Sequence, residues 1–378
     1  MLRHVPTVAL AGLLLAFSAQ AAPAKHARKS RPAPPAVAAT AGAMPAAASS
    51  AAPQTNMPSP AEQARINALI QYQKDLVSVL ALRGDAVHLL GASLLARPLP
   101  DQPQGLSFHD LIERAAKAPN AGPGITWARL ADCDAGTNAC PNADVYAQLQ
   151  KQVPDNAAVW TLAMDLATEK NDAAGVRAAL AKAAAAKSYD DYFGVELQGV
   201  ADAVGTLPPL PETMTGAQPG EPTSASGVEL LIAFGVANQQ PRPSLQPLLQ
   251  LCTLSNAATD DALKSDCLKT ARTLEWGSSP LARAVGLQIH SQLDPAAKPA
   301  VDADTRNLAW QLQNYGALGI QGLNNDQLAQ QLLEAARTGG TELSLVLSSL
   351  RANNIATEAP QGWQPEQPQP AAPASTGR

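Results

Sequence analysis

Apolar side chains recur at three- and four-residue intervals through most of the chain, which is the spacing of one face of an α-helix. The first periodic segment opens at Ser59, where a serine at the N-cap, a proline at the first helical position and Glu62 at the third form a helix-start signature. Similar segments follow, each about 10 to 17 residues long and separated by Pro, Gly, Asn or Asp. Asp85, Ser107 and Ser279 stand at the expected starts of three of them. The pattern predicts an all-α fold.

Composition supports the helical prediction and adds two unstructured ends. Alanine and leucine dominate, aromatic residues make up only 4% of the chain and β-branched residues are sparse, which favours helices over strands. Segments 22–59 and 358–378 are rich in Ala, Pro, Ser or Gln and carry almost no large apolar side chain. Because such segments cannot offset the entropy of ordering by burial, we expect both to be disordered tails.

A stretch rich in proline and glycine, residues 205–226, interrupts the helical pattern. Such a composition is typical of a loop or an interdomain linker. We therefore predict an N-terminal helical lobe at 60–204 and a C-terminal helical lobe at 227–357. Ser226 opens a capping-box pattern that closes at Glu229, so Ser226 is expected to start the first helix after the linker.

The first residues have the features of a secretory signal peptide at 1–21. A short basic start at Arg3 precedes an apolar run from Val8 to Phe17, and a small-x-small site ends at Ala21. The run is too short for a spanning helix, and no later stretch reaches the length of a transmembrane segment. We expect cleavage near Ala21 and a periplasmic or secreted mature protein. A weakly hydrophobic N-terminal arm is the alternative interpretation.

Charge argues against one class of partner. The net charge of −5 and the isoelectric point near 5.6 disfavour a nucleic-acid-binding protein, which usually presents a basic face. The basic residues that cluster lie at the predicted mature N-terminus: Lys25, Arg28, Lys29 and Arg31. They are able to make weak contacts with anionic lipids or wall polymers. A solvated tail without such a role is the other interpretation.

The four cysteines, Cys133, Cys140, Cys252 and Cys267, are expected to form two structural disulfides, since an exported protein meets oxidising conditions. Four cysteines allow three pairings, and loop closure favours the local pairs Cys133–Cys140 and Cys252–Cys267. Zinc binding is disfavoured because the spacing is not C-x₂₋₄-C and no histidines cluster nearby. A redox function is disfavoured because C-x-x-C is absent.

No catalytic motif stands out. Three acidic residues, Asp190, Asp191 and Glu196, are candidates for paired carboxylates, but the first two are expected to point to different helix faces, and Asp191 also fits a helix cap. No phosphate-binding loop, EF-hand or zincin motif is present. We therefore predict a protein without enzymatic activity, cofactor or metal.

Isolated histidines and tryptophans are weaker candidates. The histidines considered are His88, His109 and His290, and each is interpreted as a surface or core residue. The tryptophans considered as a groove lining are Trp127, Trp160, Trp276 and Trp310. Aromatic residues at helical spacing more often belong to a core, which is the interpretation we favour.

One segment resembles a tetratricopeptide repeat (TPR). Residues 156–187 predict two antiparallel helices that meet at Asn171-Asp172, with Trp160 and Ala183 where the repeat places its tryptophan and alanine. The segment departs from the repeat pattern at Ala163, Met164, Ala167, Val176 and Ser188. The resemblance implies a right-handed helical stack, or α-solenoid, with a concave face that binds a protein or peptide without catalysis.

The functional expectation follows from these features together. The chain is similar to bacterial exported proteins with degenerate TPR-like repeats, which implies non-catalytic binding of a protein or peptide partner in the cell envelope. One alternative is an envelope structural or stress protein without a defined ligand. A second alternative is a peptidoglycan-acting enzyme related to the helical lytic transglycosylases. Against this second alternative, the sequence has no evident catalytic glutamate in a lysozyme-like context.

Overall fold

The computed structural model describes residues 59–133, 140–208, 210–211, 215–216 and 221–365, and in that part of the chain the regular structure is helical, without β-strands. The all-α prediction is therefore confirmed. The predicted signal peptide, the basic residues between 25 and 31, and residues 366–378 lie outside the described residues.

Sixteen α-helices are described. In chain order they are α1 (Pro60–Leu80), α2 (Ala86–Ala96), α3 (Phe108–Lys117), α4 (Pro123–Ala128), α5 (Ala143–Gln152), α6 (Ala157–Glu169), α7 (Ala173–Ala185), α8 (Phe193–Val204), α9 (Ala225–Asn238), α10 (Gln246–Leu251), α11 (Leu254–Ala257), α12 (Asp261–Glu275), α13 (Pro280–Leu293), α14 (Lys298–Gly322), α15 (Asp326–Arg337) and α16 (Glu342–Ala352). A short 3₁₀ helix, Arg129–Ala131, follows α4.

Side-chain caps fix most of the helix starts. Ser59 accepts a hydrogen bond from the Glu62 N–H at 3.2 Å, and the Glu62 carboxylate accepts one from the Ser59 N–H at 3.4 Å, so the predicted capping box is present. Asp85, Ser107 and Ser279 cap α2, α3 and α13, as their sequence positions predict. These starts were predictable because each depends on residues three positions apart.

The predicted start of α9 was wrong by two residues. Ser224, not Ser226, is the N-cap, and its hydroxyl accepts a hydrogen bond from the Gly227 N–H at 3.0 Å. Ser226 lies inside the first turn, where its N–H donates to the Asp326 carboxylate at 3.2 Å. The carboxylate of Asp326, on α15, thus accepts the hydrogen bond from a backbone N–H for which the sequence pattern predicted Glu229 as the acceptor.

Two large apolar cores hold the helices together. The first packs α1, α2 and α3 against α8, α9, α15 and α16, and the second packs α5, α6 and α7 against α10, α12 and α13. A smaller third core lies between α13, α14 and α16. Each large core takes residues from both sides of segment 205–226, and the division into two lobes at that segment stays a prediction.

Close backbone contacts position α8, which passes through the first core. A Cβ atom at Gly91 would overlap the carbonyl oxygen of Gly199, so α2 and α8 approach each other at glycine. At the start of α8, a Cβ atom at Gly194 would overlap the carbonyl oxygen of Gly340, in the loop before α16. The second contact brings the first turn of α8 next to the loop that leads into α16.

The helical hairpin predicted from 156–187 is present as α6 and α7. Asn171 takes the left-handed conformation with φ of 55°, and Asp172 caps α7 by accepting a hydrogen bond from the Gly175 N–H at 2.8 Å. Trp160 is buried, and its indole N–H donates to the Pro154 carbonyl at 2.7 Å. The relationship of this hairpin to TPR repeats stays a prediction, as does the solenoid arrangement.

The cysteines lie in the two local pairs at disulfide distance, with Cα atoms 5.0 Å apart for Cys133–Cys140 and 5.6 Å apart for Cys252–Cys267. Cys252 ends α10 and Cys267 lies within α12, and both are fully buried in the second core. The second pair therefore joins two helices of one core. Residues 134–139, between the first pair, lie outside the described residues.

Two further features concern the surface. Residues 358–365, within the predicted C-terminal tail, lie along α14, where the Ala359 N–H donates to the Asn307 side chain at 3.0 Å and Trp363 packs edge-on against Trp310 at 5.3 Å. Within the described residues, no helix combines the length and the apolar character needed to cross a membrane.

Candidate functional site

A cavity of about 510 Å³ lies where α4, α6 and α10 meet segment 241–245, which leads into α10. Its walls are largely apolar, with contributions from Trp127, Leu130, Leu162, Leu166, Pro243 and Pro247. Its polar lining comes from Asp165, Thr168, Glu169, Glu196, Arg242 and Gln246. An apolar concave surface with a few polar groups is the usual form of a binding site.

The segment before α8 is fixed by a buried asparagine. The Asn156 amide donates to the Asp190 carbonyl at 2.7 Å, and its oxygen accepts from the Asp190 N–H at 2.9 Å. The Asp190 carboxylate in turn accepts from the N–H of Tyr192, which has a left-handed φ of 58°. The Tyr192 ring packs against Trp127 with centroids 5.6 Å apart. This bend directs Asp191, only 3% exposed, into the protein interior.

Arg242 is the cation of a buried ion cluster beside the cavity. Its guanidinium lies 3.4 Å from the Asp191 carboxylate and 3.7 Å from the Glu342 carboxylate, and it stacks over the Phe193 ring at 4.1 Å. Asp191 also accepts a hydrogen bond from the Ser278 hydroxyl at 3.3 Å. The Nη2 atom of Arg242 is buried without a hydrogen-bond partner in the described part of the chain. One cation therefore serves two carboxylates.

Glu196 is the exceptional residue of the site. It lies in the first turn of α8, lines the cavity and is 2% exposed, yet no described residue forms a hydrogen bond or ion pair with its carboxyl group. Burial raises the pKa of the Glu196 carboxyl well above its ordinary value, and the negative charge of Asp191 adds to this. Arg242 and Arg97 oppose the rise in pKa, without contacting the carboxyl group.

Two further carboxyl groups near the cavity have raised pKa values. Burial raises the pKa of Asp165 to about 6, although its carboxylate accepts a hydrogen bond from the Ser244 N–H at 2.6 Å. Burial also raises the pKa of Glu342 to about 7, with Asp191 raising it further and Arg242 opposing. Loss of hydration disfavours the charged form of each group, and the nearby partners do not fully compensate.

The lining of the cavity is acidic on balance. Asp165, Glu169 and Glu196 carry carboxyl groups there, against the single cation of Arg242, which is engaged by carboxylates outside the lining. No group of three or more His, Cys, Asp or Glu side chains in the described ranges is arranged to hold a metal ion. The arrangement suits an organic ligand with apolar surface and a positive charge.

The structure brings together part of the acidic cluster that the sequence suggested. Asp191 and Glu196 both lie at the site, whereas the side chain of Asp190 supports the bend behind it. The expectation that Asp190 and Asp191 lie on faces of a helix was wrong, because α8 begins only at Phe193. Arg242 was missed, and its only local signal is a charged residue between two prolines.

The remaining candidates from the sequence lie elsewhere, with one exception. The ring nitrogens of His88, His109 and His290 contact Asp85, Asp132 and Glu275 at 2.7, 2.9 and 2.6 Å. Trp127 lines the cavity, Trp160 belongs to the second core, Trp276 is 86% exposed and Trp310 packs against the chain near its end. The four tryptophans therefore do not form one groove.

Comparisons of this chain with protein-family models, with curated proteins and with solved structures give no match. Function has to be inferred from the cavity itself. The features that matter are its size, its apolar walls and the buried carboxyl group of Glu196.

Proposed function

We propose that the protein is a non-catalytic binding protein that takes a short peptide segment of a partner protein into this cavity, in the cell envelope. The observation that carries the proposal is a cavity of about 510 Å³ with apolar walls and a buried, unpartnered carboxyl group at Glu196 among the described residues. A volume of this size suits a few side chains, not a folded surface.

The chemistry of the walls supports a peptide ligand. Leucine, proline and tryptophan side chains offer apolar contacts, while Gln246, Gln250 and Ser244 add amide and hydroxyl groups that pair with a peptide backbone. The location is supported by two cysteine pairs at disulfide distance, which fit an oxidising compartment outside the cytosol. The signal-peptide pattern at 1–21 supports the same location.

Selection from phage-displayed random heptapeptides on the full chain tests this function. Leu166→Lys, on α6, places a charged chain in the cavity, whereas Leu82→Lys makes the same change at a side chain that is 86% exposed. Selected peptides are expected to bind the wild type and Leu82→Lys, but not Leu166→Lys, with circular dichroism confirming that both variants fold. Failure to select any peptide, or equal binding to both variants, would show that the cavity is not a peptide site.

Two alternatives from the sequence stay predictions. A structural or stress protein without a ligand predicts that selection yields nothing. A peptidoglycan-acting enzyme predicts release of soluble fragments from isolated peptidoglycan, with loss of that release in Glu196→Gln, because a protonated buried carboxyl group is the usual general acid for sugar hydrolysis.

A further inference from the structure

Resting on the proposed peptide-binding function, we infer that the cavity selects peptides that carry an arginine or lysine side chain, whose cation pairs with the Glu196 carboxylate. Glu196 is then the residue that determines specificity. The inference starts from its position: the carboxyl group lines the cavity, is 2% exposed and has no hydrogen bond or ion pair within the described ranges.

An unpartnered buried carboxyl group is costly, and native proteins rarely leave one without a partner. The neighbouring acidic groups follow that rule. Asp191 is held by Arg242 and by the Ser278 hydroxyl, and Asp165 accepts a hydrogen bond from the Ser244 N–H. Glu196 does not follow it, and its carboxyl group lines the cavity, where a ligand can reach it.

The two nearby arginines are engaged elsewhere. The Arg242 guanidinium is bound to Asp191 and Glu342 and stacks over a phenylalanine ring. The Arg97 guanidinium donates to the Gln240 side chain at 2.8 Å and lies over another phenylalanine ring at 5.5 Å. A cation brought by a ligand is therefore the partner that would complete the Glu196 site.

The walls fit the rest of a basic side chain. Leu162, Leu166 and Trp127 line the cavity, and the methylene groups of arginine or lysine pack well on such apolar surface while the charged end reaches a polar group. Asp165 and Glu169 add negative charge on the same lining, which favours a cation over an anion. Charge and shape thus point to the same side chain.

Binding of a cation is also expected to release a proton from Glu196. Burial favours the protonated form of Glu196 in the free protein, because it raises the pKa of this carboxyl group. The charged groups that act on Glu196 are Arg242, Arg97 and Asp191, and Asp165 lines the same cavity. An incoming cation stabilises the carboxylate, so the carboxyl proton passes to the buffer as the ion pair forms. Affinity is therefore expected to rise with pH until the pH passes the raised pKa of Glu196.

Calorimetric titration of the full chain tests the inference with acetylated pentapeptide amides, Ala-Leu-Xaa-Leu-Ala. Xaa is arginine, its neutral isostere citrulline, or leucine. The arginine peptide is expected to bind at least about tenfold more tightly than the citrulline peptide, as a charge-assisted hydrogen bond in a buried site implies. Repeating the titration in two buffers of different ionisation enthalpy is expected to show proton release for the arginine peptide alone.

Two variants assign the preference to one residue. Glu196→Gln keeps the shape and removes the charge, so it is expected to abolish the preference for arginine and the proton release while the citrulline peptide binds as before. Glu358→Gln, at an exposed carboxyl group outside the cavity, is the matched control and is expected to keep the preference within about threefold. Retention of the preference in Glu196→Gln would overturn the inference.

The remaining outcomes separate the inference from the function on which it rests. If no pentapeptide binds the wild type, the proposed peptide-binding function fails. If the arginine and citrulline peptides bind equally, that function stands and the charge preference fails. Replacement of Lys25, Arg28, Lys29 and Arg31 by glutamine is expected to leave the affinity unchanged. A more than threefold rise in affinity would mean that the chain's own basic segment fills the cavity. The inference of an external partner would then be wrong.

Discussion

Removal of the Arg242 charge is the most direct test of how the two large cores meet. Arg242→Met keeps an apolar chain over Phe193 and leaves two carboxylates without their cation. At 3.4 Å and 3.7 Å, each attraction is at most about 5 kcal/mol with an effective dielectric constant near 20. Desolvation offsets much of this, and loss of one partner from a buried pair usually costs about 3 to 5 kcal/mol.

We expect a net loss of about 3 kcal/mol at pH 7.5, mainly from Asp191. Asp191 is 3% exposed, whereas the Glu342 side chain is 24% exposed and takes up a proton near neutral pH because burial raises its pKa to about 7. For a chain of this size, such a loss lowers the melting temperature by about 5 °C. Urea unfolding followed by circular dichroism measures it directly.

Controls separate this effect from general damage. Arg272→Met breaks a surface pair at 4.0 Å with a 60% exposed side chain and is expected to cost less than about 0.5 kcal/mol. The triple variant Arg242→Met, Asp191→Asn, Glu342→Gln is expected to regain most of the stability, since no buried charge is left unpaired. A loss below about 1 kcal/mol for Arg242→Met, or no recovery in the triple variant, would refute the reasoning.

Three other perturbations test the fold. Replacing Cys252 and Cys267 together by alanine should lower the free energy of unfolding by about 3 kcal/mol, because a disulfide across a separation of 15 residues restricts the unfolded chain by about that amount. A reducing agent should then lower the stability of this variant less than that of the wild type in denaturation assays. Gly194→Ala should cost more than about 2 kcal/mol in urea unfolding, because its Cβ atom overlaps the carbonyl oxygen of Gly340. Alanine at Gly235, where a Cβ atom would meet no other atom within 4 Å, should not destabilise. Stability should fall as pH rises from 4.5 through 7, because the folded protein holds the Glu342 proton more tightly than the unfolded chain does, a contribution of about 2 kcal/mol. Glu342→Gln should reduce that slope and leave the part that comes from Asp165.

Local features of the fold were predictable from the sequence, and long-range ones were not. The caps at Ser59 and Ser279 and the hairpin turn at Asn171 depend on residues within one or two helical turns. The two cysteine pairs were predictable in the same way, because closure of a short loop favours pairing of cysteines that are close in sequence. Ser226 shows the limit, because its N–H is satisfied by Asp326, 100 residues away.

The candidate site was only partly predictable for the same reason. Glu196 and Asp191 are neighbouring acidic residues in the sequence, but the cation that pairs with Asp191 is Arg242, which lies 51 residues away. The bend at Tyr192 also gave no signal, since a tyrosine rarely adopts a left-handed backbone and propensity favours other conformations there. Asp165 was missed because nothing around it distinguishes a cavity wall from a solvated helix face.

The make-up of the first core has a consequence for biosynthesis. Leu76 and Leu90, near the start of the described chain, pack in the same core as Leu332 and Val346, near its end. Helix α15 packs against α8 and α9, so a nascent polypeptide that has emerged only as far as α9 still exposes the apolar faces that α15 will cover. Because those faces stay exposed until α15 has been made, a chain that stops before α15 is expected to aggregate and not to form a smaller stable protein.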